Sequence, residues 1–276
     1  MERIPFGISR LDTTLGGGAP RGSVVLLAGE AGAGAREFMY TSAVMNGVAH
    51  TDRELFSLHY GRQPPNAILP EEVHYLSFTD SEAQLRKNLE LSMETELAEA
   101  GLAHINFQSL ANEYFRNSSL PREWYVDEDS DRSLYPGEEQ SLVNFTGDML
   151  NNRAPDSLVV IDSLSDLVSA TGEQLEWADI VYLVKGLRRV SQSWNSLILL
   201  HVDHETLTDT EEGQLVGSCT GTLRFDWSSG GSMLARTVVL QSFRGVLSQI
   251  DEDELVQFEA DLGDSGFRIS DVRKIR

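Results

Sequence analysis

A glycine-rich segment, Gly29–Arg36, reads GEAGAGAR and directly follows a short apolar run. Glycines at this spacing let backbone amides turn inward around an anion, and the positive end of a following helix adds its field. The full phosphate-binding frame, GxxxxGK[ST], would place lysine at position 35 and a hydroxyl at 36. This chain has Ala35 and Arg36 there. The sequence therefore predicts a phosphate cradle without its lysine, made of Gly29, Gly32 and Gly34.

The missing lysine lowers the expected affinity for a polyphosphate. A charge-assisted contact of this kind is typically worth about 1.5–3 kcal/mol, so affinity should fall by about one to two orders of magnitude. Arg36 could swing over the loop, but helix geometry turns it about 100° from position 35, and we expect it to face solvent. Glu30 lies inside the loop, and its charge opposes a polyphosphate unless the side chain turns outward.

A second candidate is Asp162, which ends the apolar run Leu158–Ile161. From the end of a buried strand, a carboxylate can hold the hydration shell of a magnesium ion beside a phosphate. An aspartate at a strand end can also simply cap the segment that follows it, here Ser163 and its neighbours. Paired with the glycine turn, Asp162 predicts a nucleotide crevice at the carboxyl ends of parallel strands, with Mg²⁺ bound only together with a nucleotide.

Two further strand ends carry polar side chains. Asp80 could act as the general base that activates water, but Thr79, Asp80 or Ser81 would more simply cap the helix predicted to begin near Ser81. His201, Asp203 and His204 end another strand and could sense a terminal phosphate. The two histidines point to opposite faces of an extended segment and no third ligand is evident, so no metal site is predicted there.

Short apolar runs alternate with longer helical patterns, which is typical of an α/β fold with a parallel sheet covered on both faces. The predicted strands are Ser23–Ala28, Val73–Phe78, His104–Gln108, Ser157–Ile161 and Ser196–Val202. The predicted helices are Arg36–Val48, Ser81–Ala100, Ser141–Asn151 and Leu175–Ser193.

The pattern changes after Asp226, where a C-terminal meander or hairpin is predicted to extend the sheet. Its strands are Leu234–Gln241, Leu255–Ala260 and Gly266–Ile269. Two proline-containing segments, Thr51–Pro70 and the acidic Ser118–Gln140, are predicted to be surface excursions.

Composition favours one α/β domain over residues 1–276, with 41% hydrophobic residues available for a core. The formal charge of −21 disfavours broad nonspecific contact with nucleic acid or anionic lipid. Cys219 is alone, which excludes an intrachain disulfide and fits a reducing compartment. No apolar stretch is long enough to span a bilayer, so we expect a soluble, cytoplasmic protein.

The segment Ile4–Ala35 resembles the start of the KaiC/RadA branch of RecA-like ATPases, where GxxxLDxxLGGGxPxGxxxLxxGxxGxGK leads into a helix. The resemblance implies a RecA-like P-loop NTPase fold with a mainly parallel central sheet, ATP and Mg²⁺ as ligands, and rings or filaments formed through the nucleotide interface. The acidic composition points to a haloarchaeal member. The matching residues are Gly7, Leu11, Asp12, Leu15, Gly16, Gly17, Gly18, Pro20, Gly22, Gly29, Gly32 and Gly34.

Three later segments extend the resemblance. VHYLSFTDS, Val73–Ser81, is similar to the family's second strand, but Thr79 and Asp80 stand where paired glutamates normally activate water. LVVIDSLSDL resembles the Walker B segment with Asp162 as its acid. LQSFRGVL is similar to the KxRG stretch that reaches the neighbouring subunit's nucleotide, and it keeps Arg244 but not the lysine.

All of these differences from the family pattern fall at positions that the family uses to bind or hydrolyse ATP. The sequence therefore predicts a KaiC-like pseudo-ATPase with weak or absent binding of ATP and Mg²⁺, acting in regulation or assembly. Its predicted partners are further copies of itself or a related RecA-like subunit. One alternative is a working ATPase that uses Arg36 and Asp80 for the lost groups. Another is a DNA-associated recombinase paralogue, which would contact DNA through Arg244 or the Arg273–Arg276 tail.

Overall fold

A nine-stranded sheet organises the chain in this computed structural model, which describes residues 2–116, 118–125, 141–171, 175–229, 234–244 and 256–274. The strands are β1 Arg3–Ile4, β2 Ala19–Pro20, β3 Ser23–Gly29, β4 Val73–Ser77, β5 Ile105–Ser109, β6 Leu158–Asp162, β7 Leu197–Asp203, β8 Gly221–Ser229, β9 Leu234–Phe243, β10 Val256–Gly263 and β11 Gly266–Lys274. The helices are α1 Ser9–Thr14, α2 Ala35–Thr51, α3 Arg53–Tyr60, α4 Glu82–Ser92, α5 Thr95–Leu102, α6 Ala111–Phe115, α7 Leu142–Arg153, α8 Leu164–Thr171, α9 Trp177–Trp194 and α10 Asp209–Ser218.

The sheet order is β11-β10-β9-β8-β3-β7-β6-β4-β5. Strands β8, β3, β7, β6, β4 and β5 are parallel, and β9, β10 and β11 are antiparallel additions at one edge. The expected α/β fold with a mainly parallel sheet and C-terminal antiparallel strands is confirmed. Strand β8, which the sequence reading did not include, joins these two parts of the sheet.

Two hydrophobic cores cover the faces of the sheet. Strand β3 shows why, since Val25 and Leu27 face one core while Val24 and Leu26 face the other. A strand buried on both faces is apolar throughout, as is usual in parallel sheets. The carboxyl ends of β3, β6 and β7 therefore lie side by side at one end of the sheet, and the strands that lead to them are buried on both faces.

Two expectations about the helices were wrong. The predicted surface excursion Thr51–Pro70 contains a helix, because Asp52 caps α3 by accepting hydrogen bonds from two amides, and this helix ends at Tyr60, before any of the prolines. The single helix expected over Ser81–Ala100 is divided into α4 and α5. The division lies at the extended, buried Met93, after which the Glu94 amide donates to the Asp264 carbonyl at 2.7 Å.

A buried carboxylate anchors the N-terminal segment. Asp12 in α1 accepts hydrogen bonds from the amides of Phe6, at 2.7 Å, and Gly7, at 3.0 Å, and from the Tyr60 hydroxyl, at 3.0 Å. Burial raises the pKa of Asp12 to about 7, although each of these donors lowers it. Asp12 thus joins the N-terminal turn to α3.

Of the acidic excursion, residues 126–140 lie outside the described part of the chain. Residues 118–125 contain a short 3-10 helix, Arg122–Trp124, in which Trp124 is exposed. Within the described residues, no helix is both long and apolar enough to cross a membrane.

Candidate functional site

The glycine loop connects β3 to α2 at the carboxyl edge of the sheet. Gly32 and Gly34 have φ of +74° and +110°, which L side chains rarely adopt. A Cβ at Gly34 would also lie 2.8 Å from the ring of Phe267. The amides in the first turn of α2 have no intrahelical acceptors because the helix begins there. The loop and this helix end are the place where the sequence predicts the anion cradle, and the cradle stays a prediction.

Two side chains from β8 and β9 hold the loop from outside. The Trp227 indole donates to the Ala31 carbonyl at 3.1 Å, and Arg236 donates to the Gly32 carbonyl at 3.1 Å. The Arg236 guanidinium lies over the Trp227 ring, 4.6 Å from its centroid. The Glu30 carboxylate turns outward, as phosphate binding would require, and accepts from the Trp227 amide at 3.0 Å.

Asp162 ends β6 and is 3% exposed. Its Oδ2 accepts from the Tyr75 hydroxyl at 2.8 Å, while its Oδ1 lies 3.4 Å from Nδ1 of His201 and 3.3 Å from Nη2 of Arg36. Burial by itself would raise the pKa of Asp162. The hydrogen bond from His201, the charge of Arg36 and the Tyr75 hydroxyl together lower that pKa below its ordinary value. Asp162 is therefore held as a carboxylate.

The expectation that Arg36 faces solvent was wrong. Its side chain is half exposed, but the guanidinium lies over the strand ends beside Asp162. Burial lowers the pKa of Arg36, but the surrounding acidic groups, Asp162 first and then Tyr40, Tyr75 and Asp80, together raise it above its ordinary value. The long side chain thus brings the positive charge from the first turn of α2 to the buried carboxylate.

Asp80 lies near this pair but is positioned by its backbone. The Ser77 hydroxyl accepts from the Asp80 amide at 3.0 Å, and the Ser109 hydroxyl donates to the Asp80 carbonyl at 2.9 Å. Burial, followed by the charge of Asp162, raises the pKa of Asp80. Of the capping candidates it is Ser81 that caps α4, accepting from the Gln84 amide at 3.2 Å.

A cleft of about 370 Å³ lies between the loop and the ends of β6 and β7. Among the described residues that line it, Arg36 is the one arginine, and His201 also lines it. Four acidic residues of the described chain line the same cleft, namely Glu30, Glu37, Asp166 and Asp203, and of these Glu30 turns its carboxylate outward to the Trp227 amide. The side chains around the predicted cradle are therefore predominantly negative, which opposes the binding of an anion.

Arg244 does not reach this cleft. Its guanidinium donates to the Gly217 carbonyl at 2.7 Å on an exposed part of the surface. Gly245 and the last two residues of the C-terminal tail lie outside the described residues. Whether Arg244 meets a neighbouring subunit's nucleotide stays a prediction.

Several site residues were missed by sequence reasoning. Tyr75 sits inside an apolar strand with no motif to mark it, although its position three residues before Phe78 places it near the strand end. Trp227 and Arg236 belong to strands whose pairing brings them together, since the two residues are register partners. Only the sheet topology could have shown that they reach the loop.

No protein-family model matches the chain, and no curated protein matches it. Among solved structures, it is similar to a KaiC-like protein from the hyperthermophilic archaeon Pyrococcus horikoshii, with a TM-score of 0.62 and 17% sequence identity. The match covers 98% of this chain and 99% of that one. The chain has a KaiC-like fold. This likeness supports the fold expected from the resemblance and assigns no activity.

Proposed function

We propose that this protein is a KaiC-like pseudo-ATPase that acts in regulation or assembly rather than hydrolysis. The observation that carries the proposal is the ion pair between Arg36 and Asp162 across the 3.3 Å contact. A protein cation occupies the place beside the carboxylate that would otherwise support a magnesium ion. Position 35, where lysine would contact the terminal phosphates, carries only a methyl group.

The charges around the cleft support the same conclusion. A triphosphate seated on the loop would enter a cleft lined by the acidic residues Glu37, Asp166 and Asp203 and, among the described residues, by one arginine, which is already paired with Asp162. Drawing Arg36 toward a phosphate would give up its ion pair with Asp162, which costs about 1 kcal/mol because Arg36 is half exposed and solvent screens the pair. The backbone amides of the loop alone do not offset the repulsion from the acidic residues and the loss of this ion pair.

Calorimetric titration with ATP and Mg²⁺ at high salt tests the proposal. We expect no binding by the unmodified protein at concentrations below about 1 mM and no phosphate release above background. The matched variant Ala35→Lys combined with Arg36→Thr restores the lysine and hydroxyl of the loop, and should gain binding if the cradle is otherwise intact. Micromolar binding by the unmodified protein would overturn the proposal.

The second candidate is a working ATPase, and the observation favouring it is that Arg36 lies in the cleft rather than in solvent. In that case Arg36 would turn to the phosphates and Asp80 would activate water. Steady turnover by the unmodified protein that is abolished in Asp162→Asn and Asp80→Asn would establish it. Arg86→Gln, on the exposed face of α4, serves as a control that should leave turnover unchanged.

Self-association is the assembly we propose. Mass measurement in solution, with and without ATP, tests it together with the pseudo-ATPase proposal. An oligomer whose size does not depend on ATP supports both, whereas assembly only with ATP supports the working ATPase. A monomer under both conditions would count against self-association. A different protein would then be the predicted partner at the nucleotide interface.

A further inference from the structure

Three neighbouring parallel strands place potential metal ligands side by side. In the register of the sheet, Gly29 at the end of β3 pairs with Asp203 of β7 on one side and with Phe225 of β8 on the other. The next residue along each chain segment carries a metal-binding side chain. These residues are Glu30, His204 and Asp226.

The three side chains converge. One ligand atom from each lies within 4.8 Å of the others, and Nε2 of His204 is 3.5 Å from Oδ1 of Asp226. In a tetrahedral site with metal–ligand bonds of about 2.0–2.2 Å, neighbouring ligand atoms are about 3.3–3.6 Å apart. A small inward movement of Glu30 would complete such a set.

The His204 ring supplies the second observation. It is 9% exposed, and its Nε2 is buried without a hydrogen-bond partner in the described part of the chain. Native proteins rarely leave a buried polar nitrogen unsatisfied, because doing so costs stability. This nitrogen lies 3.5 Å from Oδ1 of Asp226, beyond the usual hydrogen-bond distance, and a bound cation would take its lone pair once the ring proton is on the other nitrogen.

We propose that Glu30, His204 and Asp226 bind one divalent transition-metal ion, with Zn²⁺ as the best match. One imidazole and two carboxylates form a donor set that zinc accepts, and water would take the remaining position. Mg²⁺ fits less well, because it prefers oxygen ligands in an octahedral arrangement. The site lies outside the Arg36–Asp162 pair and does not depend on the pseudo-ATPase proposal.

Arg224 positions the site and also competes with the metal. Its Nε donates to both carboxylate oxygens of Asp226, at 3.0 and 3.2 Å, and its Nη2 lies 3.5 Å from Nδ1 of His204. A guanidinium only donates, so this contact fits the tautomer that carries the ring proton on Nε2. Metal binding moves that proton to Nδ1 and releases the long contact with Arg224, while the Arg224 contacts with Asp226 remain.

A bound ion would connect the first residue of the glycine loop to β7 and β8. It would also offset the charge of Glu30 beside the cradle. The metal would therefore fix the loop at its base.

Metal titration of the full chain after dialysis against a chelator tests the site. We expect one Zn²⁺ per chain by calorimetry, and a visible absorption band when Co²⁺ replaces Zn²⁺. His204→Gln and Glu30→Gln should each weaken Zn²⁺ binding at least tenfold and abolish the Co²⁺ band. Glu30→Gln keeps an acceptor for the Trp227 amide, so it guards against misinterpreting a folding defect.

Two variants serve as controls. Glu205→Gln removes an exposed carboxylate next to the site, and His104→Gln removes a histidine elsewhere in the chain. Both should bind like the unmodified protein. Weak binding at many sites, as expected of an acidic surface alone, or equal losses in the control variants, would overturn the proposal.

Discussion

Asp12 and Asp162 are both buried aspartates, yet their surroundings shift their pKa values in opposite directions. Asp12 accepts from two backbone amides and one tyrosine hydroxyl, and burial raises its pKa to about 7. Asp162 also accepts from a tyrosine hydroxyl but lies beside Arg36 and His201, and its pKa falls below the ordinary value. Neutral donors do not fully offset the loss of hydration, whereas donors that include a cation do.

The difference separates a fixed structural site from one that can exchange partners. The three donors of Asp12 belong to the N-terminal segment and α3 and are part of the folded interior. The cation of Asp162 is a half-exposed side chain at the edge of a cleft. Removing or replacing a partner should therefore have different consequences in the two regions.

The largest effect is expected from Asp12→Asn measured as a function of pH. The folded pKa of Asp12 lies above its unfolded value, so the ordinary protein loses stability as pH rises from about 4 to about 7. Relative to Asp12→Asn, which cannot ionise, that loss should be on the order of 4 kcal/mol. Chemical denaturation at a series of pH values measures it.

The asparagine leaves one of the two amides without an oxygen acceptor, and this cost does not depend on pH. The change in the stability difference between pH 4 and 8 therefore isolates ionisation. A difference that stays constant over this range would mean that the Asp12 carboxylate ionises as easily in the folded protein as in the unfolded chain.

The sequence predicted Asp162 better than it predicted its partners. An apolar run followed by aspartate places a carboxylate at the end of a buried strand, and the structure has Asp162 there. The position of Arg36 was not predictable from helix geometry, because a long side chain can turn back from the direction in which its Cβ points. The attraction of a buried carboxylate decides between these orientations.

The fold shows the same limit. Alternating apolar strands and helices predicted the parallel sheet, since period and burial are local properties of the sequence. The division between α4 and α5 depends on a hydrogen bond from Glu94 to Asp264, far along the chain. The row of Glu30, His204 and Asp226 likewise required the strand order, which no local pattern contains.

Matched tyrosine variants give a smaller and more direct comparison. Tyr60→Phe removes a donor from Asp12, and Tyr75→Phe removes a donor from Asp162. At pH 8 we expect destabilisation of about 2 kcal/mol for Tyr60→Phe and about 1 kcal/mol for Tyr75→Phe, because Asp162 keeps a cationic neighbour. Urea denaturation measures both. Equal losses would show that Arg36 does little for the buried carboxylate.

The smallest effect is expected from Arg36→Met, which removes the cation and keeps an apolar side chain of similar reach. Because Arg36 is half exposed, solvent screens the pair and the loss of stability at pH 7 should be only about 1 kcal/mol. The folded pKa of Asp162 is lowered, so the stabilisation is present above its unfolded value and disappears as pH falls through the folded value. Arg36→Lys, which keeps the charge, should retain most of it. If Arg36→Met remained equally destabilising in acid, the contribution of Arg36 would come from packing, and the contrast between the two aspartates would rest on His201 and Tyr75 alone.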